Sequence, residues 1–445
     1  MSTLALARRP WLVSAVCAGL ALGCGHQVDR AAPTRAAAAA TSCEIVLAPV
    51  DGSAGPDPEI DRAQQRARRA PDPVPYLERL GWAWVAKARS SHDPGFLTLA
   101  LETASCIEVG RSEALEALLL RGHALASLHR FREAEMIGRV LVARRGAWFD
   151  HALLGDALLD QGHVDEAIEA YERVMAIRPG PQAYSRAALV RWIVGDLEGA
   201  IEAMELAARA SDGRDPSSAA WFRSRLAQYE LAAGRRDRAQ AWLDSALALE
   251  PDHPPALLAR GLALLAAGRA EAAIVPLARA VAVDPLPEQQ WALAEALRDA
   301  GRASEAAAVE ARLVERGEAE DPRTLALFLA TTGRDAARAL RLASRELETR
   351  QDVLTLDAMA LALAAVGRTE EARSYSERAL ARGTRSARLH LHAAAIAAAA
   401  GDASEAARRA AQAKELAHTL LPSERRRLDV LLAATKTHPR AAVRS

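Results

Sequence analysis

The chain holds four thiols, Cys17, Cys24, Cys43 and Cys106, in 445 residues. A thiol can be acylated, oxidised to a disulfide or used as a metal ligand, and spacing decides which. No Cys-x-x-Cys occurs, so neither a thioredoxin-like redox centre nor a zinc knuckle is encoded. Cys43 and Cys106 can pair in an oxidising compartment. Equally, Cys106 lies on a helical pattern and reads as a small buried apolar residue. The eleven histidines are scattered. His390 and His392 are the closest pair, and at that spacing on a helix their rings point apart, which does not suit a shared metal. His129 stands at a turn position and reads as structural, as does His123 near it.

Other chemistry is equally thin. Gly-x-Ser-x-Gly, His-Glu-x-x-His, Gly-x-x-x-x-Gly-Lys and Gly-x-Gly-x-x-Gly are all absent. Acidic pairs such as Glu370 and Glu371 stand where helices begin and read as solvated first turns. The expectation is therefore no enzyme, no cofactor and no metal. The one enzymatic route left is a site assembled from scattered carboxylates such as Asp156 and Glu295.

Composition narrows the fold class. Half of the residues are apolar but only 4% are aromatic, and alanine dominates the apolar set. Alanine lets helices approach closely, whereas sheets favour β-branched and aromatic residues, so the fold class expected is all-α. Lysine plus arginine equals aspartate plus glutamate at 57 each, and no basic footprint for nucleic acid stands out. Lysine occurs only at Lys87, Lys414 and Lys436, and asparagine not at all.

The elements that must carry these residues begin with an address. Arg8 and Arg9 precede an apolar run, Trp11 to Leu22, too short to span a bilayer but suited to an export signal. It ends in Leu-Ala-Leu-Gly-Cys-Gly, which resembles a bacterial lipobox with Ala21 in a position where leucine is commoner. That resemblance implies cleavage before Cys24, acylation of Cys24 and a lipid anchor in the membrane. Gly25 in place of aspartate implies the outer membrane, facing the periplasm, and a plain exported periplasmic form is the alternative. Residues 1–23 are thus read as the signal. Residues 24–72, with their alanine run and Gly/Pro clusters, are read as a flexible tether in which Glu44 to Val50 adds a strand or packs on the first helices.

Beyond the tether the chain repeats. A glycine is followed five residues later by alanine at Gly162/Ala167, Gly195/Ala200, Gly234/Ala239, Gly268/Ala273, Gly301/Ala306, Gly367/Ala372 and Gly401/Ala406. Gly333/Ala339 adds one residue, and His129/Ala134 replaces the glycine. From Ala134 the alanines lie 33, 33, 39, 34, 33, 33, 33 and 34 residues apart. This period, with Gly155, Tyr171 and Pro179 marking the cleanest unit, resembles the tetratricopeptide repeat family over about Arg111 to Leu420. The resemblance implies a solenoid of about nine to ten helix-turn-helix repeats over 73–420, with 73–110 a degenerate first repeat. Glycine caps the first helix at φ > 0, and alanine faces it at closest approach. Tyr171, Leu243 and Leu277 are expected to fill the gap to the neighbouring unit. The long interval falls in Ser211 to Ser218, which is either a longer surface loop in one stack or a break between two arrays. Residues 421–436 read as a capping helix with Ser423 as N-cap, and 437–445 as a basic tail.

In such a solenoid the first helices line the concave face. Helical spacing on those helices selects Phe149, Asp156 and Asp160, then Trp192, then Trp221 and Gln228, then Trp291, Glu295 and Arg298. Tryptophans among charges suit an interface centre. Family members that clamp a carboxylate with lysines and asparagines, or hold a peptide with an asparagine ladder, are poor guides for a chain without asparagine. Arginine, glutamine and aromatic groups must grip instead, and a partner helix in the groove is the mode that composition favours. The function expected is a non-enzymatic scaffold for a protein partner, lipid-anchored in the envelope. It resembles lipoproteins that help assemble outer-membrane, pilus, secretion or polysaccharide-export machinery. The alternative is a cell-wall or carbohydrate-binding module that stacks sugars on the tryptophans.

The address reading makes a direct prediction. Mass spectrometry of the mature protein from a membrane fraction should find Cys24 as its first residue, carrying acyl mass. An unmodified residue 24 or an intact Met1 would refute it.

Overall fold

The computed structural model describes residues 35–49, 57–91, 93–111, 114–211 and 215–437. Among them every regular element is helical. Two helices come first, α1 (Arg35–Leu47) and α2 (Pro58–Arg69). Ten antiparallel pairs follow. The first five are α3 (Val74–Ser91) with α4 (Gly95–Gly110), α5 (Leu115–Ser127) with α6 (Phe131–Arg144), α7 (Trp148–Asp160) with α8 (Val164–Ile177), α9 (Pro181–Ile193) with α10 (Leu197–Ala210), and α11 (Pro216–Ala232) with α12 (Arg236–Leu249). The next five are α13 (Pro254–Ala266) with α14 (Ala270–Val283), α15 (Pro287–Asp299) with α16 (Ala303–Glu320), α17 (Pro322–Thr332) with α18 (Ala336–Thr349), α19 (Val353–Ala365) with α20 (Thr369–Leu380), and α21 (Ala387–Ala399) with α22 (Ala403–Glu415). A last helix, α23 (Pro422–Thr437), closes the described chain.

Local chemistry explains each pair. Proline opens α9, α11, α13, α15 and α17, where its missing N–H is no loss. Aspartates cap helix starts, as Asp196 accepts from Gly199 N and Asp352 from Thr355 N; such caps are each worth about 1 kcal/mol. The registering alanines from Ala134 to Ala372 are fully buried, and Ala406 is nearly so. They sit where the two helices of a pair come closest. His129, in place of the turn glycine, takes up φ 59° and so adopts the glycine conformation at some steric cost.

Tyr171 shares an apolar cluster with Val190 and Ile193 of α9 and also fills space inside its own pair. A Cβ on Gly155 would lie 2.5 Å from its ring, so it packs inside its own pair, as Leu277 does on Gly261. Its hydroxyl donates to Asp156, itself gripped by Arg186 of α9. The long interval at Ser211 is a loop in one continuous stack. Phe222 and Leu226 of α11 bury against Ala203, Met204 and Ala207 of α10.

The tether reading of residues 24–72 needs correction for the part that is described. α1 and α2 are folded against the first pair. Cys43 is disulfide-bonded to Cys106 of α4, and Val46 is fully buried. The Gln64 amide donates to the Val46 and Ala48 carbonyls, both at 2.9 Å. α2 buries Ile60, Ala63, Gln64 and Ala67 while its arginines face outward, and Asp57 caps it. Small apolar side chains between arginines hid this stripe from a composition-led reading. Residues 438–445 of the expected tail lie outside the described residues, as do 1–34, including Cys24.

Successive pairs rotate until the ribbon meets itself. The turns of α7/α8, α9/α10 and α11/α12 each touch the connector that follows the pair five further on, and the turn of α13/α14 touches α23. The Gln351 N–H donates to the Asp160 carbonyl at 2.8 Å. The Thr384 hydroxyl donates to the Ile193 carbonyl at 2.6 Å. His418 Nε2 lies 3.2 Å from the Ala232 carbonyl. Arg425 of α23 donates to the Leu265 and Ala266 carbonyls. Ion pairs flank this seam, Asp160 with Arg350 at 3.1 Å and Asp165 with Arg382 at 2.7 Å. Gly195 is needed for two reasons: its φ is 84°, and a Cβ there would lie 2.4 Å from the Gly383 carbonyl oxygen.

Two predictions follow from the seam. Gly268 has a similar φ of 71° but nothing near its missing Cβ. Gly268→Ala should therefore cost about 1–2 kcal/mol from backbone strain alone, and Gly195→Ala clearly more, in denaturant unfolding. Equal losses would mean that the turns do not touch in solution. Burial pushes the Asp160 carboxyl up to about 6, outweighing the Arg350 guanidinium that pulls it down. A raised native pKa means that the folded state binds the extra proton, so this group favours folding at low pH and loses that contribution as pH rises through 6. The melting temperature of the parent, relative to Asp160→Asn, should thus be higher at pH 5 than at pH 7. The opposite trend would show that the ion pair governs.

Candidate functional site

The first helices of the later pairs wrap a narrow axial space, and side chains divide it into two chambers. The first is about 360 Å³ and is lined from α9 to α21, with Trp192, Arg225, Gln228, Leu262, Trp291 and Leu389 on its walls. The second is about 370 Å³ and lies between α15, α17, α21 and α23. Trp291 belongs to both. Its ring stands edge-on to Phe328, 5.5 Å between centroids, and the Arg388 guanidinium lies 5.6 Å from its centre. Arg388 is in turn held by Glu424 at 2.6 Å. The partition is completed by a buried pair, His392 Nδ1 and Asp357 Oδ2, 2.8 Å apart. Asp357 faces the first chamber and His392 the second.

The residues selected by helical spacing fall into three groups. Trp192, Gln228 and Trp291 are brought together on the first chamber. Trp221 is on the same face of α11 as Arg225 and Gln228, at i, i+4 and i+7, and is 38% exposed with the Arg225 guanidinium 5.7 Å from its ring centre. Glu295 and Arg298 line the second chamber but hold the fold together. Glu295, only 3% exposed, accepts from the Ser423 N–H at 3.1 Å and the Ser423 hydroxyl at 2.8 Å. Ser423 is thus not the N-cap of α23. It lies inside the helix and donates outward, while Glu424 accepts from the Leu421 N–H at 2.9 Å. Arg298 shares buried Glu310 with Arg334.

Phe149, Asp156 and Asp160 line neither chamber. Phe149 is half-buried beneath the Arg145 guanidinium, 4.5 Å away. Asp156 receives two hydrogen bonds from Arg186, at 2.8 and 2.6 Å. Asp160 belongs to the seam. A carboxylate with two arginine N–H donors is an internal brace and not a free recognition group.

Spacing on one helix at a time missed Arg225, Arg388, Asp357 and His392. Their signal was present, since each is a polar residue on a first helix, but their meeting depends on helices far apart in the chain. His390 and His392 do point apart. His390 is pushed down to about 4 by burial and neighbouring arginines, while His392 turns to Asp357. Among the described residues no group of three or more His, Cys, Asp or Glu is placed to hold a metal. No described helix is long and apolar enough to cross a membrane.

A tetratricopeptide repeat family model matches residues 153–218 and 224–288. No curated protein matches the sequence. Among solved structures, yeast Tom70 is similar at 15% identity, over 85% of this chain and 94% of that one, with a TM-score of 0.32. A human IFIT1 dimer with PPP-AAAA is similar at 14% identity, over 80% and 88%, with a TM-score of 0.45. MamA from Desulfovibrio magneticus RS-1 is similar at 20% identity, over 38% and 95%, with a TM-score of 0.29. The chain is an all-α solenoid of helical hairpins, and the part that matches the tetratricopeptide repeat lies in its middle, from α7 to the start of α15.

Proposed function

We propose that this protein is a non-enzymatic interaction scaffold that docks a protein partner on the inner rim of its solenoid and is tied to a bacterial envelope membrane through acylated Cys24. The observation that carries the docking surface is the open Trp221 ring with Arg225 over it, beside the chamber that holds Trp192 and Gln228. An exposed tryptophan next to a guanidinium and an amide, with no structural duty in the seam, has the chemistry of an interface centre. The anchor rests on the lipobox resemblance. Ten residues separate Cys24 from α1, which bounds the reach from the membrane at about 35 Å when fully extended.

The mode of docking changes from the expectation. A helix is about 10–12 Å across, and between α15 and α21 the walls meet through Trp291 and Arg388, 5.6 Å apart. No helix lies along the axis there. The rim at α11 is what a partner can reach, and a short segment with acidic and apolar side chains suits it. Stacking of a sugar is less well served, because Trp291 is only 4% exposed and Trp192 is half-buried, which leaves Trp221 as the one open ring of the three.

Site-specific photo-crosslinking tests the surface. A photoreactive residue at position 221 should yield one discrete protein adduct in envelope preparations. Position 275, an outer-face valine that is 73% exposed, should not, and Arg225→Glu should abolish the adduct. The same adducts from both positions would refute the docking surface.

A further inference from the structure

The second chamber holds polar groups that neither the fold nor the docking surface uses. Its carboxylates are all bonded. Glu295 takes the Ser423 N–H and hydroxyl, Glu310 takes Arg298 and Arg334, and Glu424 takes Arg388 and the Leu421 N–H. What is left is of the opposite kind. Arg427 lines the chamber and has no carboxylate within salt-bridge distance among the described residues. Arg427 is partly buried, and that burial pushes its guanidinium down while the Glu424 charge, beyond salt-bridge distance, pulls it up. The Thr331 hydroxyl is buried with no hydrogen-bond partner. His392 is 1% exposed, tied through Nδ1 to Asp357, and its Nε2 makes no hydrogen bond to the described residues.

These groups define a ligand. A guanidinium with no counter-ion calls for an oxyanion, and its planar fork matches a carboxylate. With Nδ1 bound to Asp357, His392 Nε2 offers either a lone pair or an N–H. A carboxyl group meets both, by donating its O–H to the lone pair or by accepting from the N–H as carboxylate. The Thr331 hydroxyl supplies one more donor. Glu295 in the same chamber is a carboxylate held by Ser423 donors alone, and its negative charge disfavours a doubly charged phosphate relative to a singly charged carboxylate. Trp291 and Leu391 are the apolar residues of a wall that is otherwise polar and charged, which leaves room for a small carboxylate body against the indole.

We propose that the chamber between α15, α17, α21 and α23 binds a small monocarboxylate through its carboxyl group, held between Arg427 and His392. The site is separate from the Trp221 rim, and either can fail without the other.

Fluorine NMR on the full chain tests it with 4-fluorobenzoate as probe. At about 5 mM probe a site with a Kd of about 1 mM is mostly occupied, and the probe resonance, exchanging with that site, should broaden and shift. The neutral isostere 4-fluorobenzamide should not. Arg427→Gln should remove the effect, and Arg225→Gln, in the first chamber, should leave it. Thr331→Val, a volume-conserving change, should weaken binding several-fold and serves if Arg427→Gln fails to fold. Inorganic phosphate should not displace the probe. Broadening of the benzamide to the same extent, benzoate binding unchanged in both chamber variants, displacement by phosphate, or no broadening of benzoate would each overturn the proposal.

Discussion

A helical hairpin of about thirty residues has one apolar side and nothing of its own to put there, so it folds only by stacking on a neighbour. Everything else in this molecule depends on that constraint. It requires two helices of a pair to approach closely, which is why the registering alanines have almost no exposed surface. It requires the turn between them to be tight, which is why φ is positive at each turn from His129 to Gly401. It requires aromatic and leucine side chains to seat on glycine inside a pair, as Tyr171 does on Gly155 and Leu277 on Gly261.

Stacking with a constant rotation makes a spiral, and here the spiral is tight enough for one turn to rest on the next. The contacts along that seam are backbone and polar, with ion pairs at its edge and an apolar patch where Val353 and Leu389 cluster with Leu159, Val164 and Ile193. Exposed ion pairs contribute little individually. The close approach of Gly195 to Gly383, and the regular succession of turn against connector, show that the seam follows from the repeat geometry as much as from any single bond. Its consequence is enclosure. A wide open groove becomes an axial space partitioned by Trp291, Arg388 and the Asp357–His392 pair.

Enclosure also explains why side chains chosen as one concave set serve different ends. On an open ribbon Asp156, Asp160, Glu295 and Arg298 would all face a ligand. In the closed spiral Asp156 braces Arg186, Asp160 lies in the seam, Glu295 receives α23 and Arg298 neutralises Glu310. Polar groups buried this way need partners, and the fold provides most of them from the opposite wall. Among those left over, Arg427 and the Nε2 of His392 face the second chamber.

The sequence by itself determined the helical class, the period and the position of the pairs, because each of these is written in one residue at one place. A positive φ calls for glycine, a closest approach calls for alanine, and both signals survive without knowledge of what lies across the molecule. The disulfide was open between pairing and a buried thiol, and only the placement of α1 on α4 brought Cys43 to Cys106. α1 and α2 themselves were missed, since alanine and arginine carry their pattern without a strong apolar stripe. The tertiary structure alone decided the pitch of the spiral, and with it which walls meet. Glu295 and Ser423 are 128 residues apart, and Asp357 and His392 are 35 apart on different first helices. Such meetings depend on small rotations accumulated over many pairs, a quantity that no local spacing of residue types encodes.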